Sequence, residues 1–213
     1  MLDVKCIIFD CDGVLVDTES IMISVLLEMA GEPAVIDLEE ALKLFSGRQI
    51  LETIKILEER REKAFPENFE IEFRRKAYER FKQEVRPIAG VSELLSTIKL
   101  PCCVASSGPR EKIELNLQVT GLIRFFEPHR IFSSYEIDSW KPDPGIFLYA
   151  AKSMGYKPSE CVVIEDSLAG ITAGLAGGFR VYAFANGYDE NEWIDERVQV
   201  FRKMSELPAL LGI

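Results

Sequence analysis

Val4-Lys5-Cys6-Ile7-Ile8-Phe9-Asp10-Cys11-Asp12-Gly13 begins as an apolar, β-rich run and stops abruptly at two aspartates and a glycine. A short run without polar alternation is how a strand buried on both faces of a parallel sheet reads. The aspartates then fall in the turn that leaves the strand's carboxyl end, and Gly13 supplies that turn with backbone freedom.

Outward from this strand, the period of the chain changes twice. From Glu19 to about Gln83 it is helical, with Ile21, Val25, Leu26 and Met29 on one face and breaks near Gly31-Glu32-Pro33, Gly47 and Pro66. That stretch predicts three or four helices and no strand. After Pro87-Ile88-Ala89-Gly90, helix and strand alternate: helices are expected over 91–98, 112–119, 144–154 and 168–176, and strands over 102–105, 130–133, 161–164 and 180–184. Asp143, Pro144 and Gly155 supply the start and stop of the third of these helices. The expected fold is α/β, a doubly wound parallel sheet built from residues 1–17 and 86–213, with an all-helical domain of residues 18–85 inserted after the first strand.

In such sheets a ligand binds beyond the carboxyl ends of the strands. The residues placed there are Asp10 and Asp12, then Ser106 and Ser107, then Glu165 and Asp166, with Lys141 in the loop after a short strand. Two neighbouring carboxylates divide naturally into one ionised and one protonated member. Asp10 is expected ionised, to attack phosphorus, and Asp12 protonated, to help an alkoxide leave. Glu165 and Asp166 offer hard oxygen ligands, for which magnesium is the expected ion. Lys141 adds positive charge, with Pro142 biasing it towards an extended conformation. Ser106 offers a hydroxyl and nearby backbone N–H groups at the turn into a helix.

Each feature alone has a plainer reading. A lone Asp10/Asp12 pair is most often a solvated turn, Lys141 a surface lysine and Ser106 a turn former, while Glu165-Asp166 reads equally well as a helix cap. Four strand ends carrying the right groups in one chain make the bland readings jointly poor.

With these residues in view, Asp10-Cys11-Asp12-Gly13-Val14-Leu15-Val16-Asp17 resembles the first motif of the haloacid dehalogenase-like superfamily. Ser106 matches that family's hydroxyl motif, Lys141-Pro142-Asp143-Pro144 its lysine motif, and Val163-Ile164-Glu165-Asp166-Ser167 its acidic motif, in the family's order and across essentially the whole chain. The resemblance implies an aspartyl-phosphate on Asp10 and Asp12 acting as general acid and then base. It also implies magnesium held by Asp10, the Asp12 backbone carbonyl and Asp166, with Glu165 acting directly or through water. Residues 18–85 look like the mobile helical cap of the β-phosphoglucomutase-like branch, which closes over the site and selects substrate. Glu19, Arg48 and Gln49 are the cap residues proposed to touch substrate, although a solvated helix start is an equal reading of Arg48 and Gln49. The stretch 131–155, with Tyr135 and Trp140, is similar to bacterial phosphatases acting on 6-phosphogluconate and other sugar phosphates.

Composition narrows the partners. A net charge of −10 repels phosphate backbones, so nucleic acid is not expected, whereas a small phosphorylated metabolite can still bind where local cations and a metal reverse the field. An acidic start at Asp3 and an apolar run far shorter than a signal or membrane span predict a cytoplasmic protein with no membrane partner. Cys6, Cys11, Cys102, Cys103 and Cys161 are an odd set without a C-x-x-C pair and are expected reduced and structural. Cys11 as nucleophile would need a positive neighbourhood, and the sole histidine, His129, is distant in sequence. No coiled-coil heptad is evident, so a monomer is expected.

Two rival functions compete with a phosphatase. A β-phosphoglucomutase-type mutase carries a histidine in its first cap helix, where this chain has Met22, and an arginine three residues after the cap glycine, where it has Ile50. A non-catalytic phosphometabolite-binding protein would have had little reason to keep Asp10, Asp12, Lys141 and Asp166 together. Dehalogenases and phosphonatases of the superfamily lack the second aspartate present here as Asp12.

Overall fold

A computed structural model of the chain describes residues 4–31, 36–45, 50–185 and 195–212. Strand β1 (Cys6–Phe9) is followed by the short β2 (Val16–Asp17), then by helices α1 (Glu19–Ala30), α2 (Leu38–Phe45), α3 (Ile50–Arg61) and α4 (Phe69–Glu84), and by β3 (Arg86–Pro87). The alternating part comprises α5 (Val91–Thr97), β4 (Cys102–Ser106), α6 (Arg110–Val119), β5 (Ile131–Ser133), α7 (Gly145–Ser153), β6 (Cys161–Glu165), α8 (Leu168–Ala176), β7 (Arg180–Phe184), β8 (Val198–Phe201) and α9 (Leu207–Leu211).

The main sheet runs in the order β5-β4-β1-β6-β7-β8, and its neighbours pair in parallel throughout. β1 is central and fully buried, with Ile7 opposite Cys102 on one side and Val162 on the other. Its lack of polar alternation follows from that position, since helices cover both faces of a parallel sheet. The chain builds outward from β1 through β4 to β5, then returns across β1 to add β6, β7 and β8. That reversal puts the topological switch point at the carboxyl end of β1, where a crevice opens.

The sheet divides two apolar cores. Ile7, Phe9, Val104, Val162 and Ile164 face one, which runs without a break into Leu26, Leu57, Phe73 and Phe81 of the helical segment. Ile8, Cys103, Val163 and Val181 face the other, against Ile146, Phe147 and Ile171 of α7 and α8. An antiparallel ribbon joins the two parts of the chain where they meet, with Val16 opposite Pro87 and Asp17 opposite Arg86.

The expected elements differ from the observed ones mainly at their ends. Arg130 closes a 3-10 turn instead of opening β5. α6 begins at Arg110, two residues early, and α7 begins at Gly145, whose N–H donates to Asp143 Oδ1 at 2.8 Å. β8 and α9 had no counterpart in the sequence reading. β8 is an edge strand with only Phe201 buried, so it lacks the continuous apolar run that marked the central strands. No described helix is long and apolar enough to cross a membrane, and all five cysteines are free.

Candidate active site

Asp10 follows β1 directly, and its backbone N–H continues the ladder by donating to Ile164 O at 2.9 Å. The turn beyond it closes on itself: Leu15 and Val16 N–H donate to Cys11 O, and Gly13 N–H donates to Val16 O. Cys11 is buried between the two aspartates' positions, and its thiol is pushed well up by burial and by the charges of Asp12 and Asp10. Burial and the two neighbouring charges disfavour the thiolate that a cysteine nucleophile needs.

β6 delivers Glu165 as its last residue and Asp166 just after it, both buried. The carboxylates of Asp10, Glu165 and Asp166 gather with one oxygen from each within 4.8 Å of the others. Two glycines make room for this. A Cβ on Gly13, which has φ +82°, would lie 1.9 Å from Asp166 Oδ2, and a Cβ on Gly170 would lie 1.9 Å from Glu165 Oε1. Ser167 holds Glu165 from the side, donating to Oε2 from its N–H at 2.7 Å and from its hydroxyl at 3.0 Å, while the same hydroxyl caps α8 by accepting from Gly170 N–H.

Lys141 comes in from the loop after β5, on a cis peptide bond to Pro142. Its ammonium pairs with Asp10 Oδ1 and, at 2.6 Å, with Glu165 Oε1, above the face of Phe147 at 4.8 Å. Burial favours the neutral amine, yet the charges of Asp10 and Glu165 prevail and raise the Lys141 pKa. Three buried carboxylates against one ammonium leave two negative charges uncompensated when all are ionised. The imbalance is visible in the carboxyls themselves: burial, with the charges of Glu165 and Asp12, pushes Asp10 up to about 7 despite Lys141, and burial with Glu165, Asp10 and Glu19 pushes Asp166 well up. A hard divalent cation fits this donor set in ligand type and in charge.

Asp12 lies outside that cluster, with its own partners. Thr18 Oγ1 donates to Oδ1 at 2.7 Å and Lys112 Nζ donates to Oδ2 at 2.8 Å. Burial would raise its pKa, but Lys112 and Thr18 outweigh it and hold the group low. Before any cation binds, burial and the surrounding carboxylates thus raise the Asp10 carboxyl, while Lys112 and Thr18 hold the Asp12 carboxyl low.

Ser106 ends β4, buried, and its hydroxyl accepts from Gly108 N–H at 3.1 Å. A Cβ on Gly108 would lie 3.5 Å from Ser106 Oγ and 3.9 Å from Asp12 Oδ2, so the hydroxyl and Asp12 border the same turn. Ser107 follows, half-buried. Glu19 opens α1, near enough to raise Asp166, and lines a small cavity of about 50 Å³ with Met22, Phe45 and Thr53. Arg48 and Gln49 lie outside the described residues. His129 is exposed beside Glu127, away from any carboxylate cluster.

The gathered carboxylates, the buried lysine and the hydroxyl at the switch point agree with comparisons to known proteins. The model of the haloacid dehalogenase-like hydrolases matches residues 7–184. The chain belongs to that family. A 6-phosphogluconate phosphatase of Escherichia coli (strain K12) is 33% identical over 99% of this chain and 96% of its own length. Among solved structures, a haloacid dehalogenase-like protein of unknown function from Agrobacterium tumefaciens superposes with a TM-score of 0.87 at 31% identity, covering 98% of each chain. A family hydrolase from Deinococcus radiodurans with bound phosphate and sodium gives 0.83 at 26% identity, covering 100% of this chain and 96% of that one. As a member of the haloacid dehalogenase-like hydrolases with phosphatases among its relatives, the chain is a phosphatase.

Lys112 and Thr18 are the site neighbours that sequence reasoning missed. Lys112 had a readable signal. It stands in the first turns of α6, where a cation opposes the helix dipole and acids are the usual choice.

Proposed function

We propose that this phosphatase is a magnesium-dependent phosphomonoesterase acting on a sugar phosphate or sugar-acid phosphate, with Asp10 as nucleophile. The observation that carries the reading is the buried cluster of Asp10, Glu165 and Asp166 against Lys141 at the end of β1. Magnesium bound by Asp10, Glu165, Asp166 and the Asp12 backbone carbonyl would supply the missing positive charge and draw two anions together.

Lys141 occupies Asp10 Oδ1, which leaves Oδ2 for attack on phosphorus. As the new P–O bond forms, the ester P–O bond breaks, and Asp12 donates a proton to the departing alkoxide. Water then attacks the phosphoryl group on Asp10 while Asp12 takes its proton, the P–O bond to Asp10 breaks, and inorganic phosphate leaves. The Ser106 hydroxyl and the Ser107 turn are suited to hold phosphoryl oxygens. Residues 18–85 act as the cap that excludes bulk water and, through Glu19, Arg48 and Gln49, select the substrate. The sugar-acid preference rests on likeness to the E. coli 6-phosphogluconate phosphatase.

The test is phosphate release from 6-phosphogluconate, other sugar phosphates and nucleotides, with magnesium or with chelator. Turnover is expected to need the metal, to favour sugar or sugar-acid phosphates, and to fall by 10³-fold or more, an order-of-magnitude figure, in Asp10→Asn. Turnover that persists in Asp10→Asn or under chelation overturns the assignment.

A further inference from the structure

We propose that Lys112 is a positioning residue that fixes the carboxyl group of Asp12 for its proton transfers. This deepens the phosphomonoesterase reading and rests on it. The Asp12 carboxyl has one tether per oxygen, Thr18 at 2.7 Å and Lys112 at 2.8 Å. Thr18 stands only six residues on, at the start of α1, whereas Lys112 reaches Asp12 from α6, 100 residues away. Losing Lys112 leaves a carboxyl that can swing about a single hydrogen bond, and proton transfer to a leaving oxygen tolerates little misplacement.

The lysine is itself held. Its side chain is 14% exposed, and its ammonium lies 5.5 Å from the centre of the Phe81 ring of α4. Its stem passes Gly108, where a Cβ would sit 3.5 Å from Cδ. It is thus held between the turn before α6 and the last turn of α4. Tyr78, one turn earlier on α4, feels the charges of Lys112 and Asp12 as well. Ordinary alternatives fit poorly. A solubilising surface lysine would be exposed, and a cation placed for helix stability would sit at the other end of α6.

A leaving-group comparison tests the role. An alkoxide must be protonated as it departs, whereas p-nitrophenolate leaves without a proton. kcat/KM covers only the steps through the first irreversible one, here formation of the phosphorylated enzyme, and a loss of active protein lowers it equally for both substrates. The two probes are p-nitrophenyl phosphate and whichever of 6-phosphogluconate and glucose 6-phosphate the wild-type chain turns over faster. Lys112→Met, which keeps an apolar stem beside Phe81, is expected to lower kcat/KM for the alkyl phosphate by about tenfold or more and for the aryl phosphate by less than about threefold. Lys112→Arg should recover part of the ratio, and Lys112→Gln reads the same ratio if the Met variant does not fold. Equal losses with both substrates, or no loss with either, overturn the proposal. Failure of the underlying reading looks different: the wild type itself would release no phosphate with magnesium, or Asp10→Asn would remain active.

Discussion

Burial and the neighbouring carboxylates raise Asp10 to about 7 and Asp166 well above its ordinary value, so proton and metal compete for the same oxygens. Without metal, the folded chain keeps a proton on Asp10 that the unfolded chain gives up near pH 3.9. Folding stability from this group is therefore present at acid pH and lost as pH rises from about 4 to about 7. Asp12, held low by Lys112 and Thr18, contributes in the opposite sense, stabilising above its ordinary pKa and losing that contribution as pH falls. Magnesium should reverse the Asp10 loss. The rise in Tm on adding magnesium is expected to be large at pH 8 and to shrink below pH 7, as the apparent affinity weakens by roughly tenfold per pH unit for each competing proton. Equal increments at pH 5.5 and pH 8 would mean the cation binds elsewhere. At this scale the sequence was readable wherever a polar residue ends or directly follows an apolar strand, as Asp10, Glu165 and Asp166 do. Lys112 is marked only by its place in the first turn of a helix, and nothing in its spacing announces which residue, 100 positions earlier, it points at. Nor does spacing reveal how burial and neighbouring charges bias each carboxyl, because both depend on what the fold packs around it.

At the scale of elements, the start of α8 does two jobs, capping a helix and steadying a carboxylate. Ser167→Ala removes the cap to Gly170 N–H and one of two donors to Glu165 Oε2. The expected cost is about 1 kcal/mol of stability, seen in denaturant titration, together with a higher magnesium concentration for half-maximal turnover. A purely capping role would lower stability and leave the magnesium requirement unchanged. Three residues into α8, Gly170→Ala sets two effects against each other. Alanine within a helix ordinarily gains about 1 kcal/mol over glycine, but here its Cβ would fall 1.9 Å from Glu165 Oε1. The clash wins, because Glu165 is buried and tied to Lys141 and Ser167, so the variant should lose metal-dependent turnover and gain no stability. Central elements such as β1, β4, β6 and β7 were legible because both of their faces are buried and the apolar run is continuous. β8 escaped notice because it is a half-exposed edge strand, and the β2–β3 ribbon because two residues per strand carry no period.

Across the whole molecule, one apolar cluster links the sheet to the inserted helices: Ile7, Phe9 and Val104 belong to the same buried set as Leu26, Phe73 and Phe81. α4 also packs against α6, with Phe81 beside the Lys112 ammonium. Two folding units that share buried apolar surface destabilise each other when either opens, since each would expose area worth about 25 cal/mol per Å². The chain should therefore unfold in a single cooperative transition despite its two-part organisation. Trp140 makes the test direct in a Trp193→Phe variant, because it stands between β5 and α7 of the sheet-bearing part. Its fluorescence follows that part, while circular dichroism at helix wavelengths draws heavily on α1, α3 and α4 of the insert. Urea titrations followed by the two signals are expected to coincide in midpoint and slope. If the helical signal were lost at lower urea than the fluorescence, the insert would be an independent unit resting on the sheet, and the shared core would contribute little to holding it there.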